Sequence, residues 1–181
     1  MQDVIFYAAF LGSFISTTAL IHMVIREYDQ AHHQTLSEVA AYSKRNINEF
    51  RIVLWVCGTL ISITMLFYIA PRLQGTGVIR AAWVAVYVCE MLLGIIHAVG
   101  GTQGKLHKVF AYTMSYGMLL TTLLFAQRLP DGFAAAEWVL LFAMLGFGLL
   151  TILHKAKFLF YEMPFIFLSH VTILIAAIAL R

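Results

Sequence analysis

The sequence predicts an all-α, polytopic membrane protein with six transmembrane helices in one bundle. Three observations carry that prediction. Of the 181 residues, 61% are hydrophobic and 12% charged, about half the charged share of an ordinary soluble domain. Mean hydropathy is +0.85, and several apolar runs reach the ~20 residues that span hydrocarbon. Short polar breaks and one longer polar stretch separate these runs, so residues 1–181 read as a single domain.

The first spanning segment is 4–25, closed by Arg26. Its Ser13, Ser16, Thr17 and Thr18 suit close helix packing or a polar cavity wall. Residues 26–51 follow as a structured loop. Thr35-x-x-Glu38 reads as a capping box that opens a short surface helix with Leu36, Val39 and Ala40 on one side. Asn46-x-x-Glu49 repeats that signal before the second segment, 52–70, which stops at Pro71. Gly75 and Gly77 loosen a turn before the third segment, 78–99. Gly100, Gly101 and Gly104 break the chain ahead of the fourth, 106–127. Leu129-Pro130-Asp131-Gly132 makes a turn before the fifth, 134–153. The sixth is 158–180, with Pro164 close to its first turn, where a helix tolerates proline best.

Six crossings put both termini on one side. Eight basic residues (Arg26, Lys44, Arg45, Arg51, Lys105, Lys108, Lys155 and Lys157) fall on the side of loops 1–2, 3–4 and 5–6, against Arg72, Arg80, Arg128 and Arg181 on the other. The excess marks the first side as cytoplasmic and both termini as outside or luminal. Net charge +3 then reflects topology, and nucleic acid is not an expected partner. The start MQDVIFYAAF lacks a basic n-region and reads as a membrane helix, not a cleavable leader. Cys57 and Cys89 lie in different apolar runs without CxxC spacing and read as buried free thiols.

The strongest site signal is Trp83–Gly101. At helical spacing Trp83, Tyr87, Glu90, Gly94, His97 and Gly101 share one stripe. An ionisable side chain inside such an apolar run is costly and faces protein or water. Glu90 and His97 are therefore the leading pair for ligand binding or proton relay, and packing is the role for Trp83 and Tyr87. The structural alternative for Glu90 is a neutral carboxyl bonded across the bundle. His22, His32, His33, His97, His107 and His154 all fall at or beyond cytoplasmic helix ends, and only His170 lies deeper. Such histidines can converge on a site or simply occupy the headgroup region. Glu162, at the start of the sixth segment, also suits a helix N-terminus.

Three chemistries use such residues. A zinc hydrolase needs three His or carboxylate ligands, but no HExxH or HxxxH spacing occurs. A haem-b carrier needs two axial histidines from facing helices, and His22, His97, His107 and His154 are the candidates. No second pair near the outer side completes a diheme arrangement, and neither haem b nor zinc is favoured. The third is lipid-headgroup binding or proton relay. Six short segments without inverted repeats argue against a secondary transporter.

The loop motif HHQTLSEVAAY, the junction GIIHAVGGTQGKLHKVFAYTMSY and the last segment FLFYEMPFIFLSHVTILIAAIAL occur in one order. In that order they resemble an uncharacterised six-helix prokaryotic membrane protein family, the domain of unknown function nine hundred and ninety-eight. That family is similar in layout to DRAM and Frag-type proteins, which are linked to lipid handling. The resemblance implies a six-helix bundle without an established activity, and singles out Ser37, Glu38, His107, Ala111 and Glu162. It implies no haem or metal. The expected function is thus that of a lipid-interacting or accessory membrane protein, with membrane lipids as partners and a polar site of Glu90, His97, His107, Glu162 and Glu38. The alternatives are a haem- or metal-bearing enzyme or electron carrier, and a small subunit of a larger membrane complex.

Overall fold

The structure, a computed structural model, describes residues 2–27, 35–41, 43–96, 101–153 and 158–181. Every regular element among them is helical: α1 (Gln2–Arg26), α2 (Leu36–Ala40), α3 (Lys44–Arg72), α4 (Thr76–Leu93), α5 (Gly101–Ala126), α6 (Asp131–Leu153) and α7 (Phe158–Ala179). Among the described residues, five helices are long and apolar enough to cross a membrane: α1, α3, α5, α6 and α7. The long helices pack in chain order, each on the next, and α7 returns onto α1.

Helix α3 holds the centre. In its most apolar stretch 56% of residues are buried, against 17% for α6, which turns most of its apolar surface outward. Two π-helical turns, Val53–Cys57 and Met65–Ile69, interrupt α3, and a 3-10 turn at Ala70–Arg72 ends it. Pro71 falls in that closing turn, and its missing N–H helps to end the helical ladder there. Gly75 then takes φ +73, a left-handed conformation that glycine adopts without a Cβ penalty, and the chain reverses into α4.

Two apolar clusters mark the ends. Phe6, Met65, Tyr68, Ile79, Trp83, Phe125 and Ile173 belong to the larger one, near the chain termini. Leu20, Met23, Val53 and the α2 residues Leu36, Val39 and Ala40 form the smaller one, which seats the short loop helix. The capping box forms as its spacing predicts: Glu38 N–H donates to Thr35 Oγ1 (3.2 Å) and Thr35 N–H to Glu38 Oε2 (2.7 Å).

Several boundaries move. The second box does not form; α3 begins at Lys44, capped by Ser43, whose hydroxyl accepts from Asn46 N–H at 3.1 Å. Ser43 competes as a cap three residues earlier and wins because Asn46 and Glu49 are drawn to α1 instead. Helix α4 stops at Leu93, not 99: Trp55 packs its indole against Gly94, and the Gly94 carbonyl accepts from Arg51 Nε at 2.9 Å. Helix α5 starts at Gly101 (φ +77), so Gly104 lies inside a helix and not in the break. Helix α6 starts at Asp131, with the Pro130 carbonyl accepting from Phe133 and Ala134.

Candidate functional site

The stripe on α4 faces α3 in an antiparallel register. Trp83 Nε1 donates to Ser62 Oγ (2.9 Å), Tyr87 and Thr59 share a hydroxyl–hydroxyl bond (3.0 Å), and Trp55 Nε1 donates to the Met91 carbonyl (3.2 Å). Residue numbers rise on one helix as they fall on the other, as close antiparallel packing requires. Glu90 sits inside this register. Its carboxyl lies against Gly58, where a Cβ would come within 2.5 to 2.6 Å of the carboxyl atoms. Gly58 therefore forms a slot for the acid. Because α4 ends at Leu93, Glu90 is in its last turn, next to the junction with the loops.

That loop end gathers polar groups from four helices. Arg26 at the end of α1 binds Glu49 on α3 through two nitrogens, at 2.6 and 3.2 Å, and also donates to Asn46 Oδ1. Asn46 is fully buried and donates to Glu27 Oε1 (3.0 Å) and to the Val39 carbonyl (3.4 Å), so one amide ties α1, α2 and α3 together. Arg45 adds a second contact to Glu49, at 2.8 Å. Glu162 does more than favour its own helix. From α7 it accepts the Leu36 N–H at 2.7 Å, capping α2 beside Glu38. Two carboxyls thus serve the first turn of a five-residue helix, one on Thr35 N–H and one on Leu36 N–H.

His107 is buried at the start of α5, with its Nδ1–H donating to the Ile96 carbonyl at 2.6 Å. A carbonyl can only accept, so this bond sets the tautomer. His107 and Ser37 line one small cleft together with Ala40, Phe50, Leu93 and Gly94. Arg51, bonded to the carbonyl of Gly94 in that lining, holds its guanidinium 5.6 Å from the Trp55 ring centroid. The residues brought to this end are thus Ser37, Glu38, Glu90, His107 and Glu162. His22 is exposed on α1 and takes no part. His32, His33, His97 and His154 lie outside the described residues. No group of three His, Cys, Asp or Glu side chains among the described residues could hold a metal ion. Cys57 and Cys89 are free and buried, as their places in apolar runs suggest.

Deeper in the structure, His170 Nδ1 and Thr17 Oγ1 lie 3.4 Å apart across the α1–α7 contact, and Ser13 and Ser16 are buried on the same face of α1. One buried acid escapes the sequence reading altogether. Glu137 on α6 is 0% exposed. The signal that could have found it is the one that singles out Glu90: a lone carboxylate inside an apolar run. No family model matches this chain, and no curated protein or solved structure shows significant similarity to it.

Proposed function

We propose that this chain is a multi-pass integral membrane protein whose loop-side end engages the headgroups of membrane lipids. In this reading six segments cross the bilayer, with α4 and the residues beyond it as the third, the loop side cytoplasmic and both termini outside or luminal. One observation carries the membrane reading. Large apolar side chains such as Phe14, Phe67, Val139, Phe142, Leu149 and Phe167 stand exposed along the long helices, a surface that water does not favour and lipid tails do. The headgroup assignment is supported by what borders that surface at the loop end. Lys44, Arg45, Lys105 and Lys108 are exposed there, around the Arg51–Trp55 pair and the cleft of Ser37 and His107. Cationic side chains beside an exposed tryptophan suit an anionic phosphate at the level of the headgroups.

The likeness to the six-helix family is supported by the positions of its residues. Ser37, Glu38, His107 and Glu162 come from three distant stretches and meet around α2, with Ala111 one turn along α5. The polar site in this reading comprises Glu90, His107, Glu162 and Glu38, together with His97.

The test is lipid analysis of the full chain extracted in mild detergent. Anionic phospholipid should be enriched over the bulk membrane, and Lys105→Gln with Lys108→Gln should remove about 2 kcal/mol of surface attraction, roughly thirtyfold in retention. Glu90→Gln and His97→Ala should alter which lipids remain. Lipid retained at bulk proportions by the parent and by all variants would overturn the headgroup assignment.

A further inference from the structure

Far from the loop end, the α6–α7 contact holds a carboxyl that the lipid reading does not use. Glu137 lies six residues into α6 and is fully buried by the protein itself. Neither of its oxygens has a hydrogen-bond partner among the described residues. Thr172 Oγ1 faces it from α7, close to the carboxyl but outside good hydrogen-bond geometry. Thr172 lies seven residues before the end of its helix, so both groups sit about 9–10 Å in from the same end.

Among the described residues no ion pair reaches either group. The ion pairs among the described residues join only Arg26, Glu27, Arg45 and Glu49, all at the loop end. From α5, Thr121 and Thr122 turn their hydroxyls to their own helix carbonyls, and the Arg128 guanidinium lies against Gly75. From α7, His170 is more than half a helical turn away from Thr172 and pairs with Thr17 on α1. On α6 itself, Asp131 is exposed.

An unpaired carboxylate in such a place is strongly disfavoured, because burial removes its hydration and nothing replaces it. A proton on one oxygen removes that charge, and the Thr172 hydroxyl, which can donate or accept, is placed to pair with the neutral carboxyl. A hard metal cation is a poorer occupant, since it takes about six or more oxygens and these two side chains offer three. We propose that Glu137 and Thr172 form an internal proton-binding site, which exchanges its proton with the side on which α6 begins. The site is independent of the headgroup reading and occupies the opposite end of the protein.

The probe is dicyclohexylcarbodiimide, which adds covalently to protonated carboxyl groups in apolar surroundings. The full chain in detergent is labelled at a series of pH values from about 5 to 9 and mapped by peptide mass spectrometry. The Glu137 peptide should carry the adduct, and labelling should fall about tenfold per pH unit above its midpoint. Glu137→Gln should lose that adduct, while adducts at Glu90 or Glu162 map to other peptides. Three results would overturn the proposal. One is a Glu137 peptide unlabelled at every pH although the unfolded chain labels there. The second is labelling that does not change with pH. The third is suppression by sodium or potassium chloride at fixed pH, which assigns the site to a metal cation. Each is read on the parent protein, so a poorly folding variant leaves the decision intact.

Discussion

Gly58 and Glu90 illustrate how one side chain depends on the absence of another. A methyl group on Gly58 would meet the Glu90 carboxyl at 2.5 to 2.6 Å, so the acid must move or the helices must part. The carboxyl is the far end of a flexible side chain that can swing aside, so the cost falls at the low end of overpacking, about 1 kcal/mol. Gly58→Ala should therefore lower the thermal midpoint, and the loss should shrink when Glu90→Ala is made as well. An equal loss in both backgrounds would mean that the carboxyl does not fill the slot. Glu90 was legible in the sequence as a charge within an apolar run, but its partner was not. A glycine carries no pattern of its own, and only the register of α3 on α4 reveals what it faces. Asn46 was misread for a related reason. Ser43 and Asn46 are both good caps, and the choice between them depends on Arg26, twenty residues earlier, for which local spacing holds no sign.

Among the elements, α2 shows the sharpest contrast between what spacing predicts and what packing adds. Thr35, Glu38 and the apolar face of Leu36, Val39 and Ala40 are local features, and all form as their spacing demands. The clamp from Glu162 is a tertiary contact across 126 positions of sequence, beyond the reach of any periodicity argument. A helix of five residues is far too short to persist alone, so its ties should govern its opening. Glu162→Ala leaves the Leu36 N–H without its acceptor, at a cost of about 1 kcal/mol, which is roughly fivefold in local opening. Hydrogen exchange should then quicken over 36–40 while amides in the middle of α5 keep their rate. Unchanged exchange there would show that apolar seating, not the carboxyl, holds α2 down. The ends of α4 and α5 were hard to read because glycines can end a helix, begin one or sit inside one. Gly94, Gly101 and Gly104 do these three things in turn.

Across the whole molecule, composition reveals the helices and not their arrangement. The apolar runs predict long helices because each can satisfy its own backbone without water. Which faces turn inward is decided by a few polar residues, such as Thr17 opposite His170 and Trp83 opposite Ser62. Burial is correspondingly uneven, from the enclosed α3 to the outward-facing α6. The enclosed helix is also the one with two π turns, and this gives it a property that an ordinary helix lacks. A π turn holds one residue more than an α turn would in the same place, so α3 can lose a residue there without changing phase. Removing one residue from Val53–Cys57 would let the helix run on in α form with both flanks still in register, whereas removing one from the α-helical Gly58–Thr64 would swing the residues before it through about 100° relative to the rest. Only the second deletion would turn Asn46 and Glu49 away from Arg26. Cysteines placed at positions 26 and 49 should cross-link with a short bifunctional reagent in the parent and in the first deletion, and fail to do so in the second. The π turn is in this sense a slack link in a chain, taking up one residue without turning the loop end.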